Sequence, residues 1–123
     1  MKHGITFKIR PVPKPRMTQS DKWRDPPRPC VAKYWAFKSE ILYEAKKQGL
    51  KKLSDELEIQ FFIQMPKSWS EIKKRRMFNT KHQQKPDIDN LVKSILDIFC
   101  QDDSYVWRVT ASKIWSFQNS IQL

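Results

Sequence analysis

The sequence predicts an α+β fold: a small mixed β-sheet with two main helices packed on it, in a single domain spanning residues 1–123. Three observations carry that expectation. Leu57, Ile59, Phe61, Ile63 and Met65 alternate without a slip and stop at Pro66, the pattern of a strand with one buried face. Tyr34, Phe37, Ile41, Leu42 and Ala45 recur at three- and four-residue steps, with Lys and Glu between them, the pattern of an amphipathic helix. A chain of 123 residues is enough for one compact core and not comfortably for two.

The remaining elements follow in order. GITFKIR, residues 4 to 10, puts Ile5, Phe7 and Ile9 on one face and Thr6, Lys8 and Arg10 on the other, a half-buried strand. PVPKPR interrupts it, because proline has no amide donor for a sheet. From there to Pro29 the chain reads as a loop too long to be idle in a compact domain. The first helix runs from about Ala32 to Leu50 with Gly49 as its cap. Ser68 followed by Glu71 has capping-box spacing and starts a short helix. Asn90 to Phe99 is a second amphipathic helix, with Leu91, Ile95, Leu96 and Phe99 inward. Tyr105 to Trp115, YVWRVTASKIW, returns to strand chemistry, Gln118 to Ser120 can turn, and Ile121-Gln122-Leu123 starts a short last strand.

The formal net charge of +11 predicts attraction to polyanions, nucleic acid first and anionic membrane second. No window approaches the roughly 20 apolar residues of a spanning helix, and MKHGITFKIR lacks the apolar stretch of a signal peptide. A cytoplasmic protein is the expectation. Cys30 and Cys100 are far apart, with only His3 and His82 to assist, so a zinc site is excluded and both thiols are expected to be buried or inert.

Against this basic background, KPDIDNLVKSILDIFCQDDSYVW concentrates Asp87, Asp89, Asp97, Asp102 and Asp103. Each has a bland explanation. Asp89 can cap the helix at Asn90, Asp97 can pair with Lys93, and Asp102-Asp103 can be a solvated turn. Together they exceed what caps require. Ten helical residues span about 15 Å, so Asp103 reaches Asp87 only if the chain doubles back or an equivalent loop brings them together. Two carboxylates about 4 Å apart repel by roughly 4 kcal/mol at an effective dielectric of 20, which calls for a cation. Hard divalent ions take such oxygen ligands together with water and substrate phosphate. Lys93, one turn after Asp89, either pairs with Asp89 or Asp97 or stabilises charge on a bound phosphate.

Upstream, Lys67, Lys73, Lys74, Arg75, Arg76, Lys81 and Lys85 face a single acid, Glu71, with Trp69 and Phe78 interleaved. Cations alternating with aromatic platforms suit a surface that tracks a nucleic-acid backbone; Trp69 taken alone is expected in the core. The early loop adds Lys14, Arg16, Lys22, Arg24 and Arg28. The whole reads as a negative pocket in a positive surface.

The blocks KPDIDNLVKSILD and DDSYV are similar to those of the RusA family of Holliday junction resolvases, Mg²⁺-dependent endonucleases of prophage and phage origin. The likeness covers PD-x-DN-L-x-K-x-x-x-D at 86 to 97 and DDS-x-V at 102 to 106, and extends to MPKSWS at 65 to 70 and PVPKPR at 11 to 16. Only IFCQ separates Asp97 from Asp102, where some members carry a longer, glycine-containing link. The resemblance implies catalytic roles for Asp87, Asp89, Asp103 and Lys93. It implies Mg²⁺, with Mn²⁺ able to substitute, on Asp87, Asp89, Asp103 and Asp102, no small-molecule cofactor, and a structural Asp97. It further implies a homodimer that nicks four-way DNA at two symmetric positions, with Lys14, Arg16, Lys73, Lys74, Arg75, Arg76, Lys81 and Lys85 on the DNA. Alternatives are a DNA-binding protein without catalysis and a nuclease for flaps or forks. A membrane-surface protein is disfavoured by the lack of a basic helix with an apolar face free to insert.

Overall fold

The computed structural model describes residues 4–100 and 103–123, with the backbone alone at residue 103. Strand β2, Glu56–Gln64, is the spine. Leu57, Ile59 and Phe61 on one face are at most 2% exposed, while Glu58 and Gln64 on the other are open to solvent. Phe62, on the open face, is half-buried. Side chains in a strand alternate sides, so this one stretch fixes which face of the sheet receives the helices.

The first strand, β1, contributes only Thr6–Phe7 to the ladder, shorter than the alternation from 4 to 10 suggests. Just before it, Gly4 and Ile5 donate to the Leu123 carbonyl and Leu123 donates back to Ile5, tying the start of the described chain to its end. Helix α1, Pro29–Lys47, begins three residues before the expected start, with proline at its first position, where a missing amide costs nothing. Gly49 ends it in the left-handed region (φ 78°), its N–H on Lys46 O at 3.2 Å and that of Leu50 on Ala45 O at 2.9 Å. Val31, Tyr34, Phe37, Ile41 and Ala45 are buried. Leu42, expected among them, is 41% exposed, because one residue beyond Ile41 turns it about 100° away from the core.

Helix α2, Glu71–Met77, is capped by Ser70, whose side chain accepts the Lys73 N–H at 3.1 Å, and not by Ser68. Ser68 lies in a turn closed by Trp69 N–H on Pro66 O, 3.2 Å. Helix α3, Ile88–Phe99, buries Leu91, Ser94, Ile95 and Ile98, while Leu96 and Phe99 are only partly covered. Strand β3, Arg108–Ser116, starts three residues later than the alternation suggests: Tyr105 belongs to a 3₁₀ turn, Asp103–Tyr105. Strand β4 is Ser120–Gln122.

The four strands form one mixed sheet in the order β1-β4-β2-β3. β2 and β3 are parallel, from Glu56↔Arg108 to Gln64↔Ser116, and β4 is antiparallel to both β2 and β1. A parallel pair needs a crossover, and here it carries α2 and α3. Phe7, Phe37, Ile41, Leu57, Ile59, Phe61, Leu91, Ile95 and Ile121 form the core between helices and sheet; each such buried side chain contributes about 1.5–3 kcal/mol. Cys30 is exposed, Cys100 half-buried, and both are free thiols. No helix among the described residues is long and apolar enough to cross a membrane.

The long first loop is braced. Arg28 grips Asp21 through two hydrogen bonds of 2.8 and 2.7 Å and reaches the Arg16 carbonyl at 2.9 Å. Thr18 N–H adds a bond to Asp21 at 2.7 Å. The Arg28 hydrogen bonds, then that of Thr18, hold the Asp21 carboxyl well below the usual carboxylate range.

Candidate active site at the start of helix α3

Asp87 occupies the N-cap position of α3, and the helix starts at Ile88, two residues earlier than expected. A capping side chain normally accepts a backbone N–H of the first turn, but Asp87 makes no such bond. Its exposed carboxylate is therefore not spent on the helix. Asp89, in the first turn, accepts the adjacent Asn90 N–H, 2.9 Å, and is exposed too. Both carboxylates sit at the N-terminal end of α3.

Asp87 borders two depressions. One, a groove of about 420 Å³, joins it to Asn90 and to three cations, Arg10, Lys33 and Lys85, over Pro11 and Pro13. The other, shallower, runs from His82 through Lys85, Asp87 and Asp89 to Lys113. Lys113 supports the pair through the backbone that precedes it. From β3 its Nζ donates to the carbonyls of Gln84 at 2.7 Å and Pro86 at 2.8 Å, holding the segment that leads into Asp87. Beneath it His82 is buried against Trp115, ring centroids 4.2 Å apart. Burial, with Lys113 nearby, pushes the His82 pKa below its ordinary value, and Nδ1 has no partner among the described residues.

Lys93 is exposed one turn after Asp89, and among the described residues no carboxylate lies within ion-pair distance of it. The bland pairing with Asp89 or Asp97 is thus not formed. Asp97 instead takes Lys14 at 3.1 Å, and Lys14 also stacks over Tyr34 at 4.9 Å. Asp97 and Lys14 hold the first loop against α3, helped by Lys14 N–H on Asn90 O, 3.2 Å.

Asp103 stands elsewhere. Its backbone belongs to the 3₁₀ turn beyond the far end of α3. Tyr105 fixes that turn, its hydroxyl 3.4 Å from Cys100 Sγ and donating to Leu53 O at 3.1 Å; the Cys100 contact, then burial, pushes the phenol up to about 12. Twelve helical residues measure about 18 Å. β3 does double back beside α3, but the residue it returns to Asp87 is Lys113, ten positions after Asp103. Asp102 lies outside the described residues, as does the Asp103 side chain. Among the described residues, no group of three or more His, Cys, Asp or Glu could hold a metal ion.

The basic frame has two parts. Arg16, Arg75, Arg76, Lys81 and Lys85 are exposed. Lys73 lies over the Trp69 ring at 4.2 Å, and Trp69 packs on Trp115 at 4.8 Å, so the aromatic residues anchor α2 to the sheet. Lys74 is 3.9 Å from Glu71, a loose helix pair. Phe78 and Phe117, both partly exposed, stack at 5.0 Å beside α2. Arg28 is occupied by Asp21.

Sequence reasoning missed Arg10, Lys33 and Lys113. Lys113 left a trace: it shares strand parity with buried Trp115, an unusual place for a cation unless it has a task. Lys33 left none, since only the packing of α1 brings it to the groove.

A search of curated proteins found no match, and a search of solved structures found none either. The family model described as endodeoxyribonuclease RusA matches residues 8–123, which takes in the first loop, the basic α2, the acidic start of α3 and the turn after it. This chain belongs to the RusA endodeoxyribonuclease family.

Proposed function

We propose that the protein is a metal-dependent nuclease that resolves four-way DNA junctions by paired nicks, as a homodimer. The observation that carries this reading is the pair of exposed carboxylates, Asp87 and Asp89, which share one depression with Lys85 and Lys113, while Asp87 also borders a groove with Arg10, Lys33 and Lys85. Two hard oxygen donors suit Mg²⁺ or Mn²⁺, and a bound divalent ion supplies charge neutralisation and water activation at a phosphodiester. Asp87 and Asp89 would be two of its ligands. Arg10, Lys33 and Lys85 receive the DNA backbone, and Lys93 stabilises negative charge building on the scissile phosphate.

Two donors are too few, and the turn carrying Asp103 sits at the opposite end of α3. A second copy resolves this. In a twofold dimer, contacts are reciprocal, so an Asp103 turn that meets the partner's Asp87 does so twice and yields two equivalent centres. Paired nicks in a junction of approximate twofold symmetry call for two equivalent centres at a fixed separation, which such a dimer supplies.

Cleavage of four-way, forked and linear DNA with Mg²⁺, Ca²⁺ or no metal tests the function. Junction-selective nicking in Mg²⁺ alone is expected. Tight junction binding without nicking under any metal condition would make the protein a binding module. Equal cutting of forks and four-way DNA would make it a general branched-DNA nuclease.

Replacing Lys73, Lys74, Arg75 and Arg76 by Gln lowers junction affinity and makes it less salt-dependent. The log–log slope falls by as much as about 3 if most of the four neutralise phosphates. An unchanged slope in a salt titration returns α2 to a solvated helix.

A further inference from the structure

The first loop carries the most exposed large apolar side chain among the described residues: Trp23, at 83%. An isolated surface Trp needs no explanation by itself. Three features set this one apart. It is flanked by Lys22 and Arg24, both exposed, with exposed Arg16 in the same loop. Its base is braced: Asp21 is held by Arg28 and Thr18, and both Trp23 and Arg24 donate their N–H to Ser20 O, at 3.1 and 3.0 Å. The loop also starts in the groove of Asp87, where Pro11 and Pro13 form part of the wall. A braced loop, with a 3₁₀ turn at Gln19–Lys22, thus presents an indole between two exposed cations in the segment that begins at the groove of Asp87.

We propose that Trp23 is a base-stacking platform for the unpaired or unstacked bases at a DNA branch point. This deepens the junction-nuclease reading and rests on it. In continuous duplex, base faces are hidden within the stack, and an exposed indole gains little. At a branch, bases at the crossover open, and an aromatic ring can cover one while Lys22 and Arg24 take the adjoining phosphates. Preorganisation matters here, because a ring already held out by its loop loses little freedom on binding.

The test measures binding of the full-length protein without metal to a four-way junction and to linear duplex of the same sequence, for wild type, Trp23→Ala, Trp23→Phe and Trp23→Lys. Trp23→Ala is expected to lose about ten- to a hundredfold on the junction and less than about threefold on the duplex, at an unchanged salt slope. Trp23→Phe recovers most of the loss, and Trp23→Lys does not. A 2-aminopurine placed at the branch is quenched by wild type and not by Trp23→Ala. Wild-type junction affinity for Trp23→Ala overturns the proposal, as does equal loss on both DNAs or rescue by Trp23→Lys, which would mean a contact with phosphate only. A change in oligomeric state in Trp23→Ala also overturns it, making the indole a protein contact. If wild type itself neither binds nor nicks junctions, the nuclease reading fails with it; if wild type does both and Trp23→Ala matches it, only the Trp23 assignment falls.

Discussion

Asp87→Asn is expected to abolish junction nicking, by at least about a hundredfold, the scale on which a single charge-positioning group acts, while the protein still folds and binds DNA. The structure separates these effects. Asp87 is exposed and makes no capping hydrogen bond through its side chain, and Asn is as good a residue at that position. The thermal midpoint should therefore stay where it is. Junction affinity should hold or rise, since one negative charge is removed from a surface that meets phosphate. What is lost is a hard anionic oxygen, which Asn replaces with a neutral and much weaker donor. Nicking assays in Mg²⁺, beside binding without metal, check both halves. Wild-type nicking by Asp87→Asn would remove this residue from the site.

Much of the fold was legible because one-sided burial writes a period into the sequence. β2 and the inward face of α1 came from that period alone, and both stand, Leu42 excepted. Boundaries were less legible where a local hydrogen bond competes with the pattern. Ser70 rather than Ser68 caps α2, because the Pro66 turn takes Ser68 first. Tyr105 alternates like a strand residue but is drawn into a 3₁₀ turn, its hydroxyl bonded to Leu53 O. The acidic pair at 87 and 89 could be read directly, since their spacing exceeds what a helix cap needs. Its surroundings could not: Lys33 and Lys113 reach Asp87 only through the packing of α1 and the parallel register of β3 on β2. Nor could the sequence tell that the returning strand carries Lys113 past Asp87 and leaves the Asp103 turn behind.

That separation leads to the second large effect. Asp87→Asn and Asp103→Asn should each be inactive alone, yet a mixture of the two, unfolded and refolded together, should nick junctions. In a composite centre, Asp87 and Asp103 come from different chains. A mixed dimer then has one centre missing both carboxylates and one with both intact. Random assembly makes roughly half the dimers mixed, so about a quarter of wild-type centres return, each giving single nicks and not paired ones. If the two carboxylates served the same centre within one chain, every centre in the mixture would lack one of them. The decisive measurement is the nicking rate of that refolded mixture, with co-assembly verified by energy transfer between differently labelled chains. Recovery to about a quarter of the wild-type rate is predicted. Confirmed co-assembly with no activity above that of either variant would contradict the shared centre.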